Sequence, residues 1–499
     1  MNKLLSLLFL CVGLSLAGQT TSTVEPTIVL NSIEKAFETL KNDPLLKNAS
    51  LSFYVYDIDN KVKIAEGNPT TSLVTASTMK VVTTATALDI MGSYKKFETE
   101  ISYDGFIDTN CTLQGNLYIK GGGDPTLGSR FFNKSNNDIM QPWIQEVANL
   151  GIHHITGRII GDASYFPDEY VPATWGWGDM GNYYGAGVSG LTIYDNTLNF
   201  YFKSGPEKND STFVECIVPY SPDLFVDNRV KASDRNKDEA YIYGGPFDPY
   251  RLIRGRIPKG EEDFLVKGAM HDPAYIAAFD LEAKLWEMGI SVAGQATTER
   301  RLRLFEGMNV SKVKKTSITK KLSPSISKIV YWTNLISNNL FAETLLRHIG
   351  VAKYGDGSVY SSTIAVEKHW KNKGIDMAGF SMNDGSGLSR ANAVSAKHLV
   401  DILVYMKSKS KYSKSFVSSL PIAGKTGTLR SYGRKTSIQG NLRAKSGTMT
   451  RVKSFAGYVK SKSGKNLSFA IIANNYNCST SQIGKKLEKL MIALGNFNG

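Results

Sequence analysis

Cysteine is scarce in this chain. The 499 residues hold four, and Cys11 lies in an apolar N-terminal run. The other three, Cys111, Cys216 and Cys478, are odd in number and far apart. At most one disulfide forms, so no disulfide framework holds the fold. Histidine is scarce as well. None of the six forms an HExxH pair and no cysteine lies near another, which argues against a metal site. Long apolar runs are missing beyond the N-terminus, which excludes a polytopic membrane protein and a stable membrane span in the mature chain. A phosphate-binding loop is missing too. Gly424-Lys425-Thr426 has the right ending, but Ser419 stands where the first glycine belongs. Internal repeats, heptads and low-complexity tracts are absent, and nothing in the sequence indicates an oligomeric state.

Acidic residues are missing from one long stretch. The chain has 59 Lys+Arg against 45 Asp+Glu, a net charge of +14. From Ile402 to Leu487 there are 13 Lys and 4 Arg and no Asp or Glu, so this stretch alone is +17. The rest keeps 42 basic and 45 acidic residues, or −3. A near-neutral protein thus carries one basic lobe. The sequence-level expectation is that this charge surrounds the functional cleft and attracts an anionic substrate.

Apolar residues make up 42 % and aromatics 10 %, enough for real cores and too much for wholesale disorder. Residues 1–18 (MNKLLSLLFLCVGLSLAG) read as a signal peptide. Lys3 gives the positive start, Leu4 to Leu16 the apolar segment, and Ser15 and Ala17 the small-x-small cleavage pattern. Export follows, and with it no nucleic-acid partner despite the basic balance.

Helices are expected at 29–42, with Asn31 or Ser32 as cap, at 77–91, 331–349 and 395–406, and at the C-terminus on the face of Ile483, Leu487, Leu490 and Leu494. Strands are expected at 51–58, 454–459 and 467–474, the last two joined by a turn at Lys462-Ser463-Gly464. The region from about 99 to 320 is rich in Gly, Tyr, Trp and Pro and reads as mostly β with loops.

Three short motifs carry chemistry. Ser77-Thr78-Met79-Lys80 places a lysine one turn after a serine, on one helix face. A serine hydroxyl needs a base to attack at neutral pH, and a desolvated lysine can be that base. The same spacing occurs at Ser32, Ser93, Ser311, Ser325 and Ser408, but Ser77 leads into a nearly all-apolar helix. Ser337-Asn338-Asn339 offers a hydroxyl to relay a proton and an amide to hold both a lysine and a substrate amide. For the third motif two copies compete, Lys425-Thr426-Gly427 and Lys445-Ser446-Gly447-Thr448. Only the second is followed at once by a hairpin and a final helix, which would put it on the edge of an antiparallel sheet. There glycine would let a substrate backbone pair closely.

Taken together, SxxK, SxN and KSG in this order are the motif set of penicillin-binding proteins and class A β-lactamases. The mature chain resembles the penicillin-binding protein 4 type of D-alanyl-D-alanine carboxypeptidase/endopeptidase, peptidase family S13. GNLYIKGGGDPTL (115–127), SNNLFAETLL (337–346), NDGSGLSR (383–390) and NLRAKSGT (441–448) carry the likeness, with a gap of 260 residues between Ser77 and Ser337.

The resemblance implies an α/β (α+β) fold, a serine β-lactamase/DD-peptidase-like domain with an antiparallel sheet flanked by helices and β-rich inserted domains. The division expected is 1–18 signal peptide, 19–98 plus 319–499 DD-peptidase domain, and 99–318 insert. Ser77 is then the acylated nucleophile and Lys80 its base. Ser337 and Asn339 shuttle the proton and position the peptide amide. Lys445, Ser446 and Thr448 hold the substrate's terminal carboxylate, Gly447 lies among them as a substrate-binding position, and the N–H groups of Ser77 and Thr448 form the oxyanion hole. Asp179 and Tyr184 in WGWGDMGNYYGAG (175–187), with Arg390, face the substrate side chain. Thr450 stands where the family can carry a long polar residue. The partners implied are peptidoglycan stem peptides and β-lactams, with no cofactor and no metal, in the bacterial periplasm. A β-lactamase and a non-catalytic wall-binding or sensor protein are the alternatives.

Overall fold

The computed structural model describes residues 30–133 and 138–499. The expected signal peptide lies outside the described residues. Among them no helix is long and apolar enough to cross a membrane, and Cys111, Cys216 and Cys478 are free thiols.

The central sheet has five antiparallel strands drawn from both ends of the chain. Its order is Arg443–Met449, Val452–Lys460, Asn466–Asn474, Ser50–Asp57, Val62–Gly67. Side chains alternate across a strand, so each of the three inner strands serves two cores. Phe53, Val55, Phe455, Phe469 and Ile471 meet helices Ser32–Lys41 and Thr480–Asn496 on one face. Tyr54, Ala456, Tyr458, Ala470 and Ile472 meet the other helices on the opposite face. At the centre of that second layer lies helix Met79–Met91, buried from Met79 to Leu88. That matches its apolar and threonine-rich composition, which leaves no solvent-facing stripe.

The first helix is capped by Asn31 in a capping box with Glu34. The 331–349 expectation needs correction. Two helices occupy this region, Ile326–Leu335 and Asn339–Tyr354. Ser337 breaks them apart with φ of +64°, in the left-handed region.

Strand Glu98–Tyr103 pairs antiparallel with strand Thr316–Leu322, so the chain leaves and rejoins the helical layer side by side. Between them lie short sheets around a separate core that includes Ile119, Ile155, Phe200, Ile253 and Leu281. This part is β-rich but also holds helices Gln141–Asn149 and Pro273–Glu287, which the expectation omitted. The second has clear signals, an Asp272 cap and Pro273 at its first turn.

Candidate active site

Ser77 sits in the single 3-10 turn Ala76–Thr78 that leads into helix Met79–Met91. Its neighbour Ala76 has φ of +48°, a costly conformation for a residue with a Cβ. The turn is pinned from two sides. A Cβ on Gly387 would stand 1.9 Å from Ala76 O, and one on Gly447 would stand 2.5 Å from Thr75 O and 3.0 Å from Ser77 N. Glycine at 447 therefore makes room for the protein's own nucleophile turn. The sequence reading had assigned that room to the substrate backbone.

Lys80 is fully buried one turn on. Its Nζ lies 3.0 Å from Ser77 Oγ, 2.6 Å from Asn339 Oδ1 and 2.6 Å from Ser386 O. Asn339 is oriented by its Nδ2, which donates to Tyr184 O at 2.8 Å. Two of the three neighbours of Lys80 are thus obligate acceptors. A neutral amine gives them its two N–H groups and points its lone pair at the Ser77 hydroxyl. Burial lowers the Lys80 pKa to about 7, against the opposing pull of Asp384 and Glu343.

Across the cleft Lys445 repeats the theme. It is fully buried on the edge strand, and its Nζ donates to Ser337 Oγ at 2.9 Å and Ser446 O at 2.7 Å. Burial pushes the Lys445 ammonium well down, and the charges of Lys80 and Lys453 act in the same direction. Ser446 Oγ donates to Thr428 Oγ1 at 2.8 Å, and Lys453 Nζ donates to Thr448 Oγ1 at 2.6 Å.

These groups surround one cleft of about 480 Å³, whose lining includes Ser77, Ser337, Asn339 and Thr448. Asp179, Tyr184 and Arg390 line it too. Tyr184 donates its hydroxyl to Asp179 at 3.3 Å, and Arg390 Nη1 lies 3.5 Å from Thr450 O. Burial raises the Asp179 carboxyl, opposed by the Tyr184 hydroxyl and the Arg390 charge. All eleven residues singled out from the sequence therefore line the cleft or lie directly behind its lining. Lys425 is elsewhere and exposed. Of the seventeen basic residues between Ile402 and Leu487, Lys445 and Lys453 stand directly behind the lining, bonded to Ser337 and Thr448, and none is itself part of it. The cleft's basic lining comes from Arg130 and Arg390.

Sequence reasoning missed Glu343, Asp384, Ser386, Gly387 and Thr428. One signal was present. Glu343 is a lone acid in the apolar run 337–346, four residues after Asn339. Among the described residues no three His, Cys, Asp or Glu side chains gather as a metal would require.

A serine against a desolvated lysine, a second Ser–Lys pair across the cleft and an edge strand beside both define a serine acyl-transfer site of the DD-peptidase and β-lactamase class. Within that class the chain belongs to the D-Ala-D-Ala carboxypeptidase 3 (S13) family, whose model matches residues 33–494. It is 27 % identical to a D-alanyl-D-alanine carboxypeptidase of Actinomadura, over 90 % of this chain and 82 % of that one. It is 25 % identical to D-alanyl-D-alanine carboxypeptidase DacB of Haemophilus influenzae, over 89 % of each. The fold resembles the crystal structure of penicillin binding protein 4 from H. influenzae with a TM-score of 0.75 and 22 % identity, covering 91 % of this chain and 97 % of that one.

Proposed function

We propose that the chain is a serine-type D-Ala-D-Ala carboxypeptidase acting on peptidoglycan stem peptides, exported to the bacterial periplasm. The observation that carries this reading is the fully buried Lys80 amine 3.0 Å from Ser77 Oγ. Lys80 takes the Ser77 proton as Oγ attacks the carbonyl of the D-Ala–D-Xaa bond. The N–H groups of Ser77 and Thr448 stabilise the oxyanion. Ser337, held by Lys445, passes a proton to the leaving amine as the C–N bond breaks, and Asn339 positions the peptide amide. Water then hydrolyses the ester. Lys445, Ser446 and Thr448 bind the terminal carboxylate against the strand at Gly447, while Asp179, Tyr184 and Arg390 meet the side chain of the stem peptide. The DD-peptidase domain, residues 19–98 with 319–499, carries the chemistry, and the 99–318 insert supplies Asp179 and Tyr184.

Cleavage of D-centred cross-links uses the same steps, so DD-endopeptidase action belongs to the same reading. β-Lactams enter as substrate mimics that acylate Ser77. The test is release of D-Ala from a pentapeptide ending in D-Ala-D-Ala. The purified chain should release it and Ser77→Ala should not. An inactive wild-type protein would favour the wall-binding alternative, and an acyl-enzyme hydrolysed within seconds the β-lactamase.

A further inference from the structure

Two carboxylates that the chemistry above does not use lie behind Lys80. Glu343 is 1 % exposed and Asp384 is fully buried. Glu343 stands one turn after Asn339 on helix Asn339–Tyr354, so both side chains leave the same face. Asn339 touches Lys80 directly. Glu343 reaches it through the backbone of Ser386. Its two carboxylate oxygens accept from Gly385 N at 3.0 Å and Ser386 N at 2.6 Å, and Ser386 O accepts from Lys80 Nζ at 2.6 Å. Asp384 grips the same loop, accepting from the backbone N–H groups of Gly387 at 2.9 Å and Ser389 at 2.7 Å.

We propose that Glu343 is a positioning residue for acylation: it fixes the Ser386 carbonyl that aims the Lys80 amine at Ser77, and with Asp384 it supplies the negative charge opposite that lysine. This rests on the reading of Lys80 as the base for Ser77. A backbone N–H can only donate, so both oxygens of Glu343 are committed as acceptors, which a carboxylate meets and a side-chain amide does not. The loop at 383–389 has no regular hydrogen-bond ladder of its own. Without this two-pronged hold, the buried N–H groups of Gly385 and Ser386 would lose their acceptor on the near side of the Ser386 carbonyl, leaving only the Asp384 bond to Gly387 N on the far side.

The electrostatics point the same way. Lys80 meets the charge of Glu343 from one helix and of Asp384 from the loop, and the buried Lys445 on the edge strand, whose ammonium pKa is lowered by burial and by Lys80. Burial favours the neutral amine, and the two carboxylates favour the ammonium. The Glu343 carboxyl is raised to about 7 by burial and by Asp384, against hydrogen bonds from Gly385 and Ser386 and the charge of Arg347 on its own helix.

The experiment is the rate of acylation by a fluorescent penicillin as a function of pH, on full-chain wild type, Glu343→Gln and Glu343→Asp, with thermal melting to confirm folding. Glu343→Gln sets an N–H group against a backbone N–H. It should acylate about a hundredfold more slowly on the plateau, the scale of a small misplacement of a catalytic group. Its acidic limb should also move to lower pH, because a charge that favoured the Lys80 ammonium is gone. Glu343→Asp keeps the charge but not the reach. It should acylate slowly with the limb unmoved, and it serves as the test if Glu343→Gln does not fold. Either variant acylating within about twofold of wild type, or a folded Glu343→Gln with a slow rate and an unmoved limb, would overturn the proposal. A wild type that is not labelled at all would instead remove the reading of Lys80 on which it rests.

Discussion

Asn339 and Tyr184 are joined by a hydrogen bond of 2.8 Å between the Asn339 amide and the Tyr184 carbonyl. The bond links the long insert to the helix that carries the SxN motif, and it fixes which atom of Asn339 faces Lys80. Residues 179–184 thereby orient Asn339 toward Lys80 as well as lining the cleft.

Asn339→Ala removes one of the two obligate acceptors of the Lys80 amine and leaves Tyr184 O without its donor. kcat/KM for pentapeptide hydrolysis should fall about a hundredfold, with kcat affected more than KM. Steady-state kinetics on the folded variant checks this.

Gly447→Ala introduces a Cβ that would stand 2.3 Å from Ser454 Oγ and 2.5 Å from Thr75 O. The edge strand must then retreat from the nucleophile turn. The variant should lose acylation by penicillin and melt at a lower temperature, by about 1–3 kcal/mol of overpacking. Differential scanning calorimetry and a labelling assay read the two effects.

The pH profile follows from Lys80. Burial holds its folded pKa at about 7, below the ordinary 10.5, and in the proposed mechanism the neutral amine is the base. Activity should therefore rise as pH increases through about 7, where the ammonium loses its proton. The acidic limb of kcat/KM against pH measures it. A limb near the usual lysine value would contradict the assignment.

The two Lys-[Ser/Thr]-Gly copies separate cleanly. Lys445→Ala removes the donor to Ser337 Oγ and empties a buried position, so penicillin acylation should be abolished or slowed at least a hundredfold. Lys425→Ala alters an exposed residue outside the cleft and should leave labelling intact.

Periodicity made much of this legible. The strands near 454–474 are almost continuously apolar or small, as a sheet buried on both faces requires, and the last helix shows its stripe at Ile483, Leu487, Leu490 and Leu494. The break at Ser337 was not legible, because the apolar pattern of Leu335, Ile336 and Leu340 runs across it. Only the left-handed turn, held by contacts from elsewhere, interrupts the helix there. The motif residues were visible because their chemistry needs particular side chains. Glu343 and Asp384 were not, because most of their partners are backbone amides in the loop at 385–389, and amides leave no trace in a sequence. Thr428 lies three residues from Lys425, yet only the folded edge strand brings it to Ser446.

Labelling with a fluorescent penicillin, followed by mass spectrometry of the modified peptide, tests the central claim most directly. The account predicts a single covalent adduct on Ser77 in the wild-type protein and none in Ser77→Ala. An adduct that persists in Ser77→Ala, or one on a peptide that lacks Ser77, would contradict it.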